Sequence, residues 1–179
     1  YKRQYKVLSF TEFKENKNLK KILDTEDTYL KKENIVLSKV LIDKSSPYLK
    51  SIIVNRGTSS GILKGMPVLD GSHLVGRIVE VNFFSSRVLL LNDLNSRIPV
   101  TIEPSAVQAI LTGVGEEKPL LNYLPEAFIG IDDQTVFTSG KDGIFSPGIA
   151  IGKTFVETTG DDDLVIKVKL FQTQTNFHL

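Results

Sequence analysis

Hydrophobic residues follow two different patterns in this chain, and the pattern changes near residue 36. In the lysine-rich N-terminal part, the stretch FKENKNLKKIL places Leu19, Ile22 and Leu23 at helical spacing, with no Gly or Pro nearby. We therefore predict a helix over about residues 1–23. A heptad frame puts two glutamates into the seam, so the pattern fits a coiled coil and a solvated amphipathic helix about equally.

After residue 36, short aliphatic or β-branched runs alternate with Gly, Pro, Asn, Asp and Ser about every ten residues, which is typical of β-strands. We predict strands over 36–42, 50–55, 67–69, 74–82, 87–92, 98–103, 107–112, 120–124, 135–138, 149–156 and 164–170. So many short strands favour a mainly β fold of two small antiparallel β-barrels over one sheet.

These patterns divide the chain into three parts. We predict an N-terminal α-helix, interpreted as a coiled-coil remnant, with a linker in residues 1–35. The first β-barrel would cover 36–104 and the second 105–179, with a boundary near Pro104. The last strands either pair within the second barrel or return to the first.

Two glycine-rich stretches stand out, VNRGTSSGILKGMPVLDG and TSGKDGIFSPGIAIGK. In the first, Lys64 is followed by Gly65, Met66 and Pro67, without the Ser or Thr and the helix start that a phosphate-binding loop requires. Glycine in company with Thr, Ser and Pro is instead typical of turns. We predict structural turns at Gly57, Gly61, Gly65, Gly71, Gly140, Gly143, Gly148 and Gly152.

Three phenylalanines are candidate contacts for a partner protein. Phe83 and Phe84 are adjacent near the end of a predicted strand, so one ring should point outward unless a bulge or turn buries both. Exposed aromatic residues often anchor protein interfaces. Phe145, in the second glycine-rich stretch, is a further candidate of the same kind.

Composition excludes several classes of protein. The 179 residues contain no cysteine, which excludes disulfides, thiolate metal sites and thiol nucleophiles. The longest aliphatic run, VLLL, is far shorter than the roughly 18 residues that cross a bilayer. The net charge is +1, and after residue 50 there are 10 Lys and Arg against 14 Asp and Glu, so we expect no nucleic-acid binding. Since Met66 is the only methionine, we expect a piece of a longer protein.

Residues that could carry chemistry are few. A hydrolase of the chymotrypsin type, or one directed at the cell wall, would have to use Ser139 with His73, and Asp93 is the available orienting acid. The run at 161–163 is acidic but lacks the ligand spacing of a calcium loop. A sugar-binding module usually holds its ligand on aromatic faces, yet the chain has no Trp and five Tyr. We therefore expect no catalytic residues, no metal ligands and no cofactor.

Three long stretches follow one another along the chain: NRGTSSGILKGMPVLDGSHLVGRIVEV, SSRVLLLNDLNSRIPV and VFTSGKDGIFSPGIAIGK. In order and spacing, they resemble the MreC family of rod shape-determining proteins. The likeness covers about residues 36–156, and ENKNLKKIL is similar to the end of the coiled coil that precedes the MreC barrels.

The resemblance implies a function and a location. It implies a non-catalytic scaffold of the bacterial cell-elongation complex, on the outer side of the cytoplasmic membrane or in the periplasm. The implied partners are further copies of the chain as a dimer or filament, the proteins MreD and MreB, and the elongation transpeptidase of the penicillin-binding class. An N-terminal membrane anchor would lie before Tyr1.

Overall fold

A computed structural model describes residues 4–7, 36–45, 50–126, 128, 130–159 and 163–171 of this chain. Regular structure in these ranges consists of β-strands and one short 3₁₀ turn at Thr58–Ser60. The strands are β1 (Gln4–Val7), β2 (Val36–Ser45), β3 (Lys50–Val54), β4 (Pro67–Asp70), β5 (His73–Val81), β6 (Ser86–Leu90), β7 (Arg97–Glu103), β8 (Val107–Thr112), β9 (Leu120–Asn122), β10 (Thr135–Thr138), β11 (Ala150–Thr159) and β12 (Asp163–Leu170).

The first six strands close into a ring. Their order is β5-β4-β1-β2-β3-β6, and β6 pairs again with β5, which closes the ring. Every neighbouring pair is antiparallel. Along β3 and β6, buried side chains alternate with partly exposed ones, as the two-residue period of a strand requires. Eight buried residues fill this first ring: Ile52, Val54, Ile62, Met66, Val68, Val75, Ile78 and Val88.

The remaining six strands close into a second antiparallel ring. Their order is β10-β7-β8-β9-β12-β11, and β11 pairs again with β10. Ile98, Val100 and Ile102 alternate along β7 as buried residues, and they meet Ala109 and Leu111 of β8 in the core. Closing both sheets removes most of the free strand edges that would otherwise pair with other chains.

The two rings are joined side by side. His73 at the start of β5 pairs in parallel with Ala150 at the start of β11. Leu69, Leu74 and Leu91 belong to the first half of the chain but pack into the core cluster of the second ring. The core of the second ring therefore extends to residues of β4 and β5 at the junction, whereas the core of the first ring forms a cluster of its own.

The structure confirms a mainly β fold with closed antiparallel strand arrangement, and the strand pairing shows which ring each strand joins. The strand pairing places β7 in the second ring, so the chain changes rings between residues 90 and 97 instead of near Pro104. The final strand β12 pairs with β9 and β11, which keeps it in the second ring.

The predicted N-terminal helix is not confirmed. Four of its residues, Gln4–Val7, form β1 and complete the first ring between β2 and β4, so the helix prediction is wrong for this segment. Sheet pairing overrides the weak local preference there. The rest of the predicted helix lies outside the described residues. Within the described ranges, no helix has the length and hydropathy that a membrane crossing requires.

Candidate functional site

Two aromatic rings project from the connection between β5 and β6. The side chains of Phe83 and Phe84 are 62% and 73% exposed. The rings touch edge to face, with centroids 4.6 Å apart and an angle of 88° between their planes. This aromatic tip lies at the end of the first ring that is farther from the second ring, because β5 starts at the junction and runs away from it.

The backbone of the aromatic tip is held by two sets of hydrogen bonds. Within the tip, the Asn82 N–H donates to the Ser85 carbonyl at 2.8 Å. From outside, the amides of Thr58 and Ser59 donate to the carbonyls of Asn82 and Phe83 at 3.0 and 3.1 Å. The 3₁₀ turn therefore clamps the tip through main-chain atoms and leaves both rings free.

Gly57 makes this clamp possible. A Cβ at this position would lie 2.0 Å from the Asn82 carbonyl oxygen and 2.7 Å from that of Phe83. Its φ of −143° is ordinary extended backbone, so the requirement for glycine comes from close approach. Ile62, five residues after Gly57, anchors this corner in the core of the first ring, because its side chain is fully buried.

Both aromatic rings point outward, an arrangement that neither of the two expectations described. The reason is that residues 82–85 form a turn beyond the strand ends, where the alternation of strand faces no longer applies. Leu63, in the same loop as the glycine corner, is also 63% exposed. Its exposure has no signal in the sequence, because Ile62 and Leu63 are adjacent apolar residues in a loop, where no alternation distinguishes inside from outside.

Phe145 has the opposite environment. Its side chain is 3% exposed and packs in the core of the second ring. The Asp142 carboxylate accepts hydrogen bonds from the amides of Ile144 and Phe145 at 3.0 and 3.2 Å, which curls the chain inward. The prediction of Phe145 as an exposed partner contact is therefore wrong.

Most of the selected glycines occupy turns with left-handed backbone. Positive φ values occur at Gly61, Gly65, Gly71, Gly140, Gly143 and Gly148. Gly152 is different, because it lies within β11 and a Cβ there would be 2.3 Å from the Lys169 carbonyl oxygen of β12. Its prediction as a turn residue is wrong, and the glycine instead permits close strand pairing.

The residues considered for hydrolysis make structural contacts. The Ser139 Oγ accepts from the Lys141 N–H at 3.4 Å, and the His73 ring packs against Phe171 with centroids 4.8 Å apart. The buried Asp93 carboxylate accepts from the amides of Lys50 and Asn95 at 2.6 and 2.8 Å, which fastens the connection between β6 and β7 to β3. None of the hydrogen bonds of these described side chains joins serine, histidine and aspartate.

The outer face of β11 and β12 carries an ion-paired cluster. Lys167 Nζ lies 2.8 Å from Glu157 Oε2 and 3.4 Å from Glu116 Oε2. The hydrogen bond and charge of Lys167 lower the pKa of Glu157, and the hydrogen bond with Glu157 raises the pKa of Lys167. Among the described residues no group of His, Asp and Glu side chains has a metal-binding arrangement. Most of the acidic run at 161–163 lies outside them.

Comparison with known proteins gives the family. The family described as "Rod shape-determining protein MreC, barrel core" matches residues 40–178, which is more than half of the chain. The chain belongs to the MreC family. The cell shape-determining protein MreC of Cereibacter sphaeroides is 41% identical over 114 residues, which are 64% of this chain and 38% of that protein. The chain thus spans less than half the length of this MreC relative.

Solved MreC structures share the fold. The crystal structure of MreC from Pseudomonas aeruginosa is 28% identical with a TM-score of 0.67, covering 74% of this chain and 88% of that one. The major periplasmic domain of the "cell shape-determining filament MreC" has a TM-score of 0.62 at 20% identity, over 74% and 84% of the two chains. The MreC chain in a complex with penicillin-binding protein PBP2 from Helicobacter pylori has a TM-score of 0.56 at 16% identity. The match covers 74% of this chain and 83% of that one.

Proposed function

We propose that this chain is the barrel part of a non-catalytic scaffold in the bacterial cell-elongation complex, and that its aromatic tip binds a penicillin-binding transpeptidase. The scaffold would connect MreB and MreD to the enzymes that synthesise peptidoglycan. It would lie outside the cytoplasmic membrane, attached through an N-terminal anchor, and would associate with further copies of itself.

The observation that carries the proposal is the exposure of two adjacent phenylalanines on a fixed backbone. A large apolar side chain held in water is costly unless a partner covers it, and aromatic residues dominate the binding energy of many interfaces. Because the clamp from Thr58 and Ser59 already orders the tip, little conformational entropy is lost on binding.

Family membership gives the proposal its partner. An MreC protein of Helicobacter pylori has been solved in a complex with the penicillin-binding protein PBP2, and it shares the barrel fold of this chain. Another related structure is described as a periplasmic domain and as a filament, which supports the proposed location and the self-association. The structural contacts of Ser139, His73 and Asp93 support a scaffold over a hydrolase.

The test is binding of the purified chain to the extracytoplasmic part of the elongation transpeptidase from the same organism, measured by calorimetry. Phe83→Ala and Phe84→Ala should each raise the Kd roughly tenfold or more, because each removes an aromatic anchor. Their melting temperatures should stay close to that of the native chain, since the rings contribute little to the core.

Tyr123→Ala provides the matched control, because this aromatic side chain is 85% exposed on the second ring. It should leave the Kd unchanged. Native affinity in both phenylalanine variants would contradict the assignment of the aromatic tip as the transpeptidase contact.

A further inference from the structure

The strand pair β11–β12 of the second ring is bordered by an open groove. Its volume is about 470 Å³, which falls within the roughly 300–1,000 Å³ of sites that bind small molecules. Two lysines, two aspartates and two phenylalanines contribute to its lining: Lys153, Lys169, Asp132, Asp133, Phe155 and Phe171. We call this cavity the lysine groove.

The two lysines of the groove face each other across the strands. Lys153 of β11 and Lys169 of β12 are directly paired in the register, and like charges in that position destabilise a sheet. The Asp133 Oδ1 atom lies 2.7 Å from Lys153 Nζ and neutralises this lysine. No ion pair among the described residues involves Lys169. The groove therefore contains an ammonium group that is not matched by an anion in the described part of the chain.

Positive charge of the second ring is concentrated at this groove. Residues 92–171 contain 6 Lys and Arg against 12 Asp and Glu. Four of these six cations lie in or near the groove: Lys118, Lys153, Lys167 and Lys169. Lys167 is paired with two glutamates, whereas the Lys118 Nζ atom lies 3.8 Å from the centroid of the Phe155 ring. Such a local excess of cations on an acidic ring favours the binding of an anion at this place.

The apolar part of the groove is aromatic and is held in position by the chain itself. Phe155 is exposed, and Lys118 lies over its ring. The Phe171 ring packs against His73 of the first ring with centroids 4.8 Å apart, and the Phe171 N–H donates to the Ile151 carbonyl at 3.0 Å. Because these contacts already order both rings, an apolar group of a ligand binds there with little loss of conformational entropy.

We infer that the lysine groove binds the C-terminal carboxylate of a short peptide between Lys153 and Lys169. The apolar side chain of the last peptide residue packs against Phe155 and Phe171. A lysine ammonium donates charge-assisted hydrogen bonds to a carboxylate, and such bonds are stronger than those between neutral groups.

The two aspartates of the groove select the kind of anion. A phosphate dianion would be repelled by Asp132 and Asp133, so the groove suits a singly charged carboxylate better. Carboxylate oxygens accept more than one hydrogen bond each, which suits the N–H groups that distinguish a peptide from a fatty acid. This inference goes beyond the proposed function, and no residue of the groove belongs to the aromatic tip.

The experiment is an NMR titration of the purified, nitrogen-15-labelled chain with N-acetyl-Ala-Leu and, in parallel, with the C-terminal amide of the same dipeptide. The acid should bind roughly tenfold more tightly than the amide, because the amide lacks the charge that the lysines recognise. Lys169→Met keeps the apolar part of the side chain and removes the ammonium group, so it should weaken binding of the acid roughly tenfold. Lys64→Met is the matched control, since this exposed lysine lies on the first ring, and it should leave binding unchanged.

Asp133→Asn should have the opposite effect. It removes the charge that competes with the ligand for Lys153, so the affinity for the acid should rise roughly threefold. Asparagine tolerates the positive φ of +66° at this position, so the backbone should keep its conformation. A purely structural role of Asp133 would not produce a gain in affinity.

Three results would overturn the inference: equal binding of acid and amide, native affinity in Lys169→Met, or tighter binding of inorganic phosphate than of the peptide acid. Binding that appears only in a chain shortened to end at Phe171 would also reject it, because the groove would then belong to residues 172–179. Phe83→Ala and Phe84→Ala leave the groove intact, so failure of the transpeptidase proposal would not change these results.

Discussion

The two glycine-rich corners of this protein contain similar residues, but one supports exposed aromatic side chains and the other buries one. The corner at 57–61 donates backbone hydrogen bonds to the hairpin tip, which keeps Phe83 and Phe84 exposed. The corner at 140–148 encloses its own aromatic residue, and Phe145 is almost fully buried. The difference lies in what the glycines approach: the first corner contacts the backbone of another hairpin, whereas the second folds back on itself.

The second corner is closed by side chains. The Thr138 hydroxyl donates to the Ser146 carbonyl at 2.6 Å and accepts from the Ile149 N–H at 3.0 Å. Together with the Asp142 carboxylate, it supplies the polar contacts that a buried turn needs. Side-chain hydrogen bonds thus decide whether a glycine-rich corner buries its aromatic residue or leaves a neighbouring one exposed.

The largest expected effect comes from truncating the buried ring. Phe145→Ala should lower the free energy of unfolding by about 3–5 kcal/mol, because it leaves a cavity in the core of the second ring. Phe84→Ala, at the exposed tip, should change it by less than about 0.5 kcal/mol. Denaturant unfolding measures both. Equal losses in the two variants would contradict the contrast between the corners.

Gly57→Ala should have the next largest effect. Its Cβ would lie 2.0 Å from a main-chain carbonyl, which cannot move without displacing the aromatic tip. We expect a loss of about 2 kcal/mol in stability and weaker transpeptidase binding at temperatures where the variant is folded. The readouts are chemical unfolding and calorimetric titration.

Gly71→Ala is the control for this effect. Gly71 has a φ of +63° with open space around it, and it lies at the opposite end of the first ring. The substitution should cost roughly 1 kcal/mol in stability through backbone strain and leave binding unchanged. If both alanine variants bind equally well, the glycine corner does not position the tip.

Most strands could be predicted from the sequence because their signals are local. Alternation such as that of Ile166 and Val168 with the intervening lysine predicts a strand with one wet face, and the structure confirms it in β12. The prediction failed at Gln4–Val7, where pairing with β2 and β4 outweighs a sequence that resembles a helix. Such pairing joins residues far apart in the chain, so a local pattern cannot report it.

The candidate site was predictable only in part. Adjacent phenylalanines marked the tip, but the sequence does not show which carbonyls approach Gly57. Phe145 was misassigned for the same reason, because the hydrogen bonds that its own amide and that of Ile144 donate to the Asp142 carboxylate turn it inward.

A smaller effect should follow from removing the hydroxyl that closes the second corner. Thr138→Val should destabilise the protein by about 1–2 kcal/mol, because the Ser146 carbonyl and the Ile149 amide lose a partner in a mostly buried turn. Thermal unfolding gives the value. Ser139→Ala is the control, since the serine side chain is half-buried and its one hydrogen bond is long. A valine variant as stable as the native chain would show that the hydroxyl does not secure the corner.

The smallest expected effect distinguishes the rings by their response to acid. In the second ring, the hydrogen bond and charge of Lys167 hold the pKa of Glu157 below its ordinary value of 4.5. Because the folded pKa is the lower one, the stabilisation is present above the unfolded pKa and is lost as the pH falls through the folded pKa. The Glu157 side chain is 49% exposed, so solvent screening keeps this contribution small.

Lys167→Met should therefore raise the pKa of Glu157 towards 4.5, as measured by NMR titration of the side-chain carboxyl carbon. The native chain should be slightly more stable than this variant at neutral pH, and the difference should diminish as Glu157 becomes protonated. Lys169→Met, two residues along the same outward face, has no ion pair within the described ranges and should leave the titration unchanged. If Glu157 titrates identically in all three proteins, the acid response of the second ring does not originate in this cluster.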